Sequence, residues 1–237
     1  MNNYQFFAQK KVTPIAKVIA RNMHKKLFEL FLKHFNNSDK NILEIGPGLG
    51  RFSSLLNTIP EIHYKGYEPE SILCKNLKEQ GLEIVQGTVP PIAEKDNTFN
   101  AIVMLNVLEH MKGLLEAQHI AAELHRTLAP HGIAFVTFPN FLDWKREFFN
   151  LDYTHSYITT EINARQLFTD AGFTIEYCGY NYGCFFSDFG RFPNWVARTA
   201  SGFLQFVLPR KLGRMEKIQK MGVLFAENIT IVARKKI

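Results

Sequence analysis

From Asn41 to Phe138, short apolar runs alternate with stretches whose apolar residues recur at helical spacing, and that alternation admits few folds. Asn41 to Ile45 runs into the glycine turn Gly46-Pro47-Gly48-Leu49-Gly50, after which Arg51 to Leu56 restarts a helical pattern. Ile62 to Tyr67 reads as a second strand, Ile72, Leu73 and Leu77 with the closing Gly81 as a second helix, and Leu82 to Val85 as a third strand. Phe99 to Leu105 is a near-continuous apolar run, of the kind buried on both faces of a parallel sheet. Leu114 to Leu128 is predicted helical, stopped by Pro130-His131-Gly132 before a strand at Ile133 to Phe138. So regular a succession predicts an α/β fold with a doubly wound parallel sheet.

The flanks add helices and strands. Pro14 to Phe35 carries Ile15, Val18, Ile19, Met23, Leu27, Leu30 and Phe31 at helical spacing and reads as one or two leading helices, broken at Asn36-Asn37-Ser38. Thr160 caps a predicted helix from Glu161 to Ala171, with Gly172 as its C-terminal glycine. Phe173 to Tyr180 and Glu227 to Ala233 bring the strand count to about seven. The segment between these two strands, roughly forty residues, is too long for a simple hairpin loop. Within it Trp195, Val196, Thr199, Phe203, Phe206 and Val207 share one helical face, with Asn194, Arg198, Ser201 and Gln205 opposite.

Composition narrows the class. Hydrophobic residues make up 46% and charged residues 21%, which excludes disorder and a multispan membrane protein. The formal net charge of +6 comes from basic residues concentrated at Lys10 to Lys26 and Arg191 to Lys220, a solvated basic surface or a site for anionic partners. Cys74, Cys178 and Cys184 form no C-x-x-C pair, so neither a disulfide framework nor a zinc site is expected, and a reducing cytosol suits them. Lys10, Lys11, Lys17 and Arg21 interrupt any secretion-signal pattern, so a cytoplasmic location is expected.

The glycine turn supplies the first functional signal. Between a first parallel strand and its helix, glycines let the backbone approach a ligand closely. Here the spacing is G-x-G-x-G, and the turn follows Glu44. A pyrophosphate gains nothing from that carboxylate, whereas a cofactor carrying an ammonium group and a sulfonium does. Glu68, at the end of the second strand, is placed to accept hydrogen bonds from two ribose hydroxyls. The pattern favours S-adenosylmethionine (AdoMet) over NAD.

Three blocks carry a family resemblance: Leu43-Glu44-Ile45-Gly46-Pro47-Gly48-Leu49-Gly50, then Gly66-Tyr67-Glu68-Pro69, then Phe99-Asn100-Ala101-Ile102-Val103-Met104-Leu105-Asn106-Val107-Leu108-Glu109-His110. Through them the chain resembles the class I AdoMet-dependent methyltransferases. A stretch from Asp152-Tyr153-Thr154-His155 to Gly172-Phe173 resembles their small-molecule branch. Asn100 stands where the family has aspartate, and Thr88 where it often has an acidic residue beside the adenine. The resemblance implies a Rossmann-like seven-stranded sheet whose last strand is antiparallel. It further implies AdoMet held by Glu44, Gly46, Pro47, Gly48, Gly50 and Glu68, with Asn106 and Val107 against its methionine part and Gly87 and Thr88 beside the adenine. The chain is thus expected to be one methyltransferase domain, with an N-terminal helical cap at 1–37, the AdoMet-binding core at 38–180, an amphipathic insertion at 181–222 and a final strand at 223–237.

Methyl transfer from a sulfonium is an in-line displacement that positioning alone can accelerate, and a base is needed only where a hydroxyl proton must leave. His110 and His155 are the candidates; a local structural bond is the other role for His110, and ordering of its loop the other role for His155. No set of Cys, His or carboxylates has metal-ligand spacing along the chain, so metal-free chemistry is expected. Aromatic residues including Phe141, Trp144, Phe148, Phe149 and Tyr153 either enclose an apolar acceptor or pack a capping subdomain. The expected acceptor is a small molecule, a lipid-linked intermediate or a glycan precursor, with O-methylation favoured by the histidines. Segment 194–214 is a candidate for peripheral membrane contact, a homodimer interface or a lid. The alternatives are an RNA methyltransferase, disfavoured because no N-P-P-[FYW]-like motif follows the fourth strand and nucleic acid is not expected as a partner, or a catalytically silent AdoMet-fold subunit.

Overall fold

The computed structural model describes residues 14–35, 40–183, 185, 190–208, 218 and 226–236. Seven strands form one sheet: β1 (Asn41–Ile45), β2 (His63–Glu68), β3 (Ile84–Gln86), β4 (Phe99–Leu105), β5 (Leu128–Pro139), β6 (Phe173–Tyr182) and β7 (Glu227–Lys235). Their order is β3-β2-β1-β4-β5-β7-β6, with β7 antiparallel to both neighbours and the first five strands parallel to one another.

The helices are α1 (Pro14–His34), α2 (Arg51–Leu56), α3 (Ser71–Glu79), α4 (Leu114–Thr127), α5 (Phe141–Trp144), α6 (Arg146–Asn150), α7 (Glu161–Asp170) and α8 (Arg191–Val207). A single leading helix thus spans the region predicted to hold one or two. Alternation along each strand sends side chains to two separate cores. Ile42, Ala101, Val103 and Phe135 face a core built with Leu27 and Phe31 of α1, Phe52 of α2 and Leu77 of α3. Leu43, Ile102, Met104 and Val136 face the other core, with Ile120, Leu124, Leu167 and Phe168. Phenylalanines tie the first of these cores together: Phe31 meets Phe52 and Phe135 edge-on, at centroid distances of 6.0 and 5.7 Å.

One local expectation changes, and one left open is filled in. Pro130-His131-Gly132 does not separate helix from strand but lies inside β5, where two steps along β4 (Phe99 to Ala101) match five along β5 (Leu128 to Ile133). His131 takes a positive φ of 64° there, the local kink expected of a bulge. The insertion helix, in turn, packs with its polar face inward. Asn194 and Ser201 are buried, with Asn194 Nδ2 donating to Asp143 Oδ1 at 3.2 Å and the Ser201 hydroxyl to the Ile218 carbonyl at 2.9 Å. Arg198 pairs with Asp143 and Glu147. Phe192, Trp195, Phe203 and Phe206 point outward, Trp195 64% and Phe206 90% exposed. Residues 209–214 of the segment named for membrane contact lie outside the described residues.

Candidate active site

The C-terminal ends of β1, β2 and β4 open onto a cavity of about 780 Å³. Such crevices at strand ends are where open parallel sheets bind ligands. Gly46, Gly48, Glu68, Gly87, Thr88, Asn106, Val107 and His110 all line it, so eight residues named from sequence converge on one space. A smaller cavity of about 270 Å³ adjoins it, sharing Gly46, Gly48 and Asn106, and is lined also by Glu44, Pro47, Arg51 and Asn181. Gly50 lines neither; it caps α2 with a φ of 72°.

The turn is held by its own sequence. Gly46 has a φ of 69°, and a Cβ there would stand 2.7 Å from Val107 Cγ2, so the β1 and β4 loops come together only over a glycine. Glu68 Oε2 accepts from the Gly48 N–H and its Oε1 from the Glu70 N–H, each at 3.0 Å. Burial raises the Glu68 carboxyl above the usual carboxylate range, against the lowering effect of those two bonds.

Glu44 is engaged beneath the turn. Its Oε2 accepts from the Ser53 hydroxyl at 2.5 Å and from the Tyr64 phenol at 2.8 Å. Burial dominates, and pushes its carboxyl up to about 7 in spite of those bonds. Asn106 takes a φ of 54°, a left-handed conformation asparagine tolerates better than most residues, with its N–H bonded to the Thr137 carbonyl at 2.9 Å.

The two candidate histidines meet at the cavity wall, their ring centroids 4.9 Å apart. The Thr154 hydroxyl donates to Asp152 Oδ1 at 2.6 Å and so accepts from His110 Nδ1–H at 2.8 Å. His155 Nδ1–H donates to the Phe148 carbonyl at 2.6 Å. In both neutral rings the lone pair therefore sits on Nε2. Burial, then the neighbouring His155, pushes His110 down to about 4, opposed by Asp152. His155 is lowered by burial as well, opposed by Asp152 and the Phe148 carbonyl. His110 lines the cavity; His155 lies behind it, buried.

Glu109 went unassigned in the sequence reading, where it counted only as part of the family's Leu-Glu-His block. It is 2% exposed, its carboxyl is pushed up to about 8 by burial and by Asp152, and its Oε2 has no hydrogen-bond partner among the described residues. Sequence spacing offered no ligand set for a metal, yet the fold brings potential ligand atoms of Glu109, His110 and His155 within 4.8 Å of one another.

A family model described as a methyltransferase domain matches residues 19–177, from within α1 to within β6. The chain belongs to the methyltransferase domain family. A search of curated protein sequences gives no significant match. Among solved structures, this methyltransferase is similar to the putative methyltransferase of Haloferax volcanii in complex with its activator Trm112, at TM-score 0.70, 12% identity, and coverage of 99% of this chain and 96% of that one. It is similar also to a putative sarcosine dimethylglycine methyltransferase from Galdieria sulphuraria, at TM-score 0.67 and 13% identity, over 90% of this chain and 85% of that one. A third is a Haemonchus contortus phosphoethanolamine N-methyltransferase bound to phosphomonomethylethanolamine and S-adenosylhomocysteine, at TM-score 0.62 and 12% identity, over 90% and 53% of the two chains. The fold, with β7 antiparallel, is that of the class I enzymes, and AdoMet is the cofactor of this methyltransferase. The residues fit it: a glycine cradle that a Cβ would fill and a buried carboxylate at the end of β2.

Proposed function

We propose that this methyltransferase transfers the methyl group of AdoMet to the hydroxyl of a small, lipid-linked acceptor met at a membrane surface. The observation that carries the acceptor class is the orientation of α8. A helix that spends Asn194, Arg198 and Ser201 on the body and turns Trp195, Phe203 and Phe206 outward leaves an apolar face for a second phase. The net charge of +6 favours an anionic surface.

The division of the site supports the cofactor placement within this reading. The large cavity, with Glu68, Gly87 and Thr88, takes the adenosine, and the methionyl part crosses Gly46 towards the smaller cavity. That cavity offers a carboxyl, Glu44, and a guanidinium, Arg51, and the ammonium of an α-amino acid would draw the proton off the first. The buried Asn181 Oδ1, without a hydrogen-bond partner among the described residues, adds an acceptor there. A hydroxyl acceptor is favoured by the histidines at the wall.

The test is flotation with phosphatidylglycerol vesicles, followed by transfer of labelled methyl to a lipid extract, a water-soluble extract and total RNA in parallel. Vesicle binding with label in the lipid fraction is expected. Label in RNA alone, or a protein that ignores vesicles and pairs through α8 with a second subunit, overturns the acceptor reading and leaves the family assignment intact.

A further inference from the structure

Glu109 presents an anomaly that AdoMet chemistry does not explain. A carboxyl this deeply buried normally has every oxygen bonded, since an unmet polar atom in the interior is costly. Here Oε2 has no partner among the described residues, although the Glu109 backbone carbonyl is well used, accepting from the N–H groups of Ser156 and Tyr157 at 2.8 and 3.1 Å. Those bonds fasten the 152–157 loop to the turn after β4. They bring His155 to the residues that follow that strand.

The two histidines are set up alike. Each commits Nδ1–H to an oxygen, His155 to the Phe148 carbonyl and His110 to Thr154, which is itself fixed by Asp152. Such outer bonds are the usual means of holding an imidazole so that Nε2 faces a metal ion. Aromatic contacts keep the rings in place: His155 lies 4.5 Å from the Phe148 ring centroid and 4.9 Å from that of His110. The ligand atoms of Glu109, His110 and His155 lie within 4.8 Å of one another. An ion with bonds of about 2.1 Å in tetrahedral geometry holds its ligands roughly 3.4 Å apart, so a modest closing of side chains suffices.

We propose that Glu109, His110 and His155 form a binding site for a first-row divalent transition-metal ion at the wall of the cofactor cavity. Two imidazoles and one carboxylate suit zinc, manganese or iron better than magnesium, which takes oxygen ligands. His110 and Asp152 both line the cavity, so the ion stands where ligand chemistry can reach it. It would supply a Lewis acid there. The site does not depend on AdoMet, and an ion held on both Nε2 atoms would take over from the imidazoles in serving a hydroxyl acceptor.

The test uses the full chain, stripped with chelator and without AdoMet. Calorimetric titration with Zn²⁺ is expected to give one bound equivalent, with Mg²⁺ at least a hundredfold weaker. Glu109→Gln and His155→Gln are each expected to weaken Zn²⁺ at least tenfold, with circular dichroism and AdoMet affinity reporting that the fold survives. The Co²⁺-loaded wild type is expected to show a visible absorption band of nitrogen-ligated metal. Absence of that band, or Zn²⁺ affinity unchanged in folded Glu109→Gln and His155→Gln proteins, overturns the site. The wild-type band decides the matter even where a variant does not fold.

Discussion

Glu68 reaches from the end of β2 to the backbone N–H of Gly48 at 3.0 Å, so the residue chosen to hold a ribose also pins the glycine turn. Glu68→Ala should therefore cost on two counts. AdoMet affinity by calorimetry is expected to fall at least tenfold, and stability by about 1–3 kcal/mol from the N–H groups left unmet. Affinity unchanged in a folded variant removes Glu68 from the cofactor site.

Glu44 links stability to pH. Its carboxyl is raised from 4.5 to about 7 in the folded chain, so the folded state holds the proton more tightly than the unfolded one. The stability it contributes is full below the unfolded value and is lost as pH rises through the folded one. His110 and His155, shifted down, act in the opposite sense, losing stability as pH falls. The difference between wild type and Glu44→Gln isolates the glutamate. Without AdoMet, the variant is expected to gain on wild type by up to about 3 kcal/mol between pH 4.5 and 8 in urea melts. A constant gap across that range contradicts the shift.

Gly46→Ala tests the close approach of two loops. The added Cβ would meet Val107 Cγ2 at 2.7 Å on a backbone with φ of 69°. A loss of about 1–3 kcal/mol and of AdoMet binding is expected from thermal melts and calorimetry. Shortening the neighbour in the Gly46→Ala/Val107→Ala pair should recover part of the stability; no recovery places the whole cost in the backbone.

For α8 the two faces should separate cleanly. Phe203→Ser with Phe206→Ser touches exposed rings, so melts are expected within about 0.5 kcal/mol of wild type while vesicle binding falls. Arg198→Ala instead removes one partner each from Asp143 and Glu147 and should loosen the helix, seen as faster proteolysis around residues 191–207. Equal vesicle binding by the double serine variant contradicts membrane contact through this face.

The parallel strands were legible because burial on both faces writes continuous apolar runs such as Ala101 to Leu105. The convergence of Gly46, Glu68 and Asn106 on one cavity was legible because each lies at or just past a strand end. The bulge in β5 was not, since Pro130-His131-Gly132 is a stop signal in isolation and only the pairing of Leu128 and Ile133 with β4, on either side of it, keeps the strand going. The facing of α8 was also hidden. Periodicity separates two faces of a helix but does not say which one meets the body, and here Asp143 and Glu147 decide it from a distant part of the chain. Glu109 was passed over for a like reason: its neighbours at the wall come from the loop at 152–157, and no spacing rule spans that interval.

The place of β7 in the sheet bears on how the chain is made. Its residues come last in order, yet it lies between β5 and β6. Until residues 227–235 have emerged from the ribosome, β5 presents a bare edge and β6 has no partner among the other described strands. The nascent chain can complete its cofactor half first and must shield two open strand edges while it waits, a window in which pairing with another chain competes with its own closing strand.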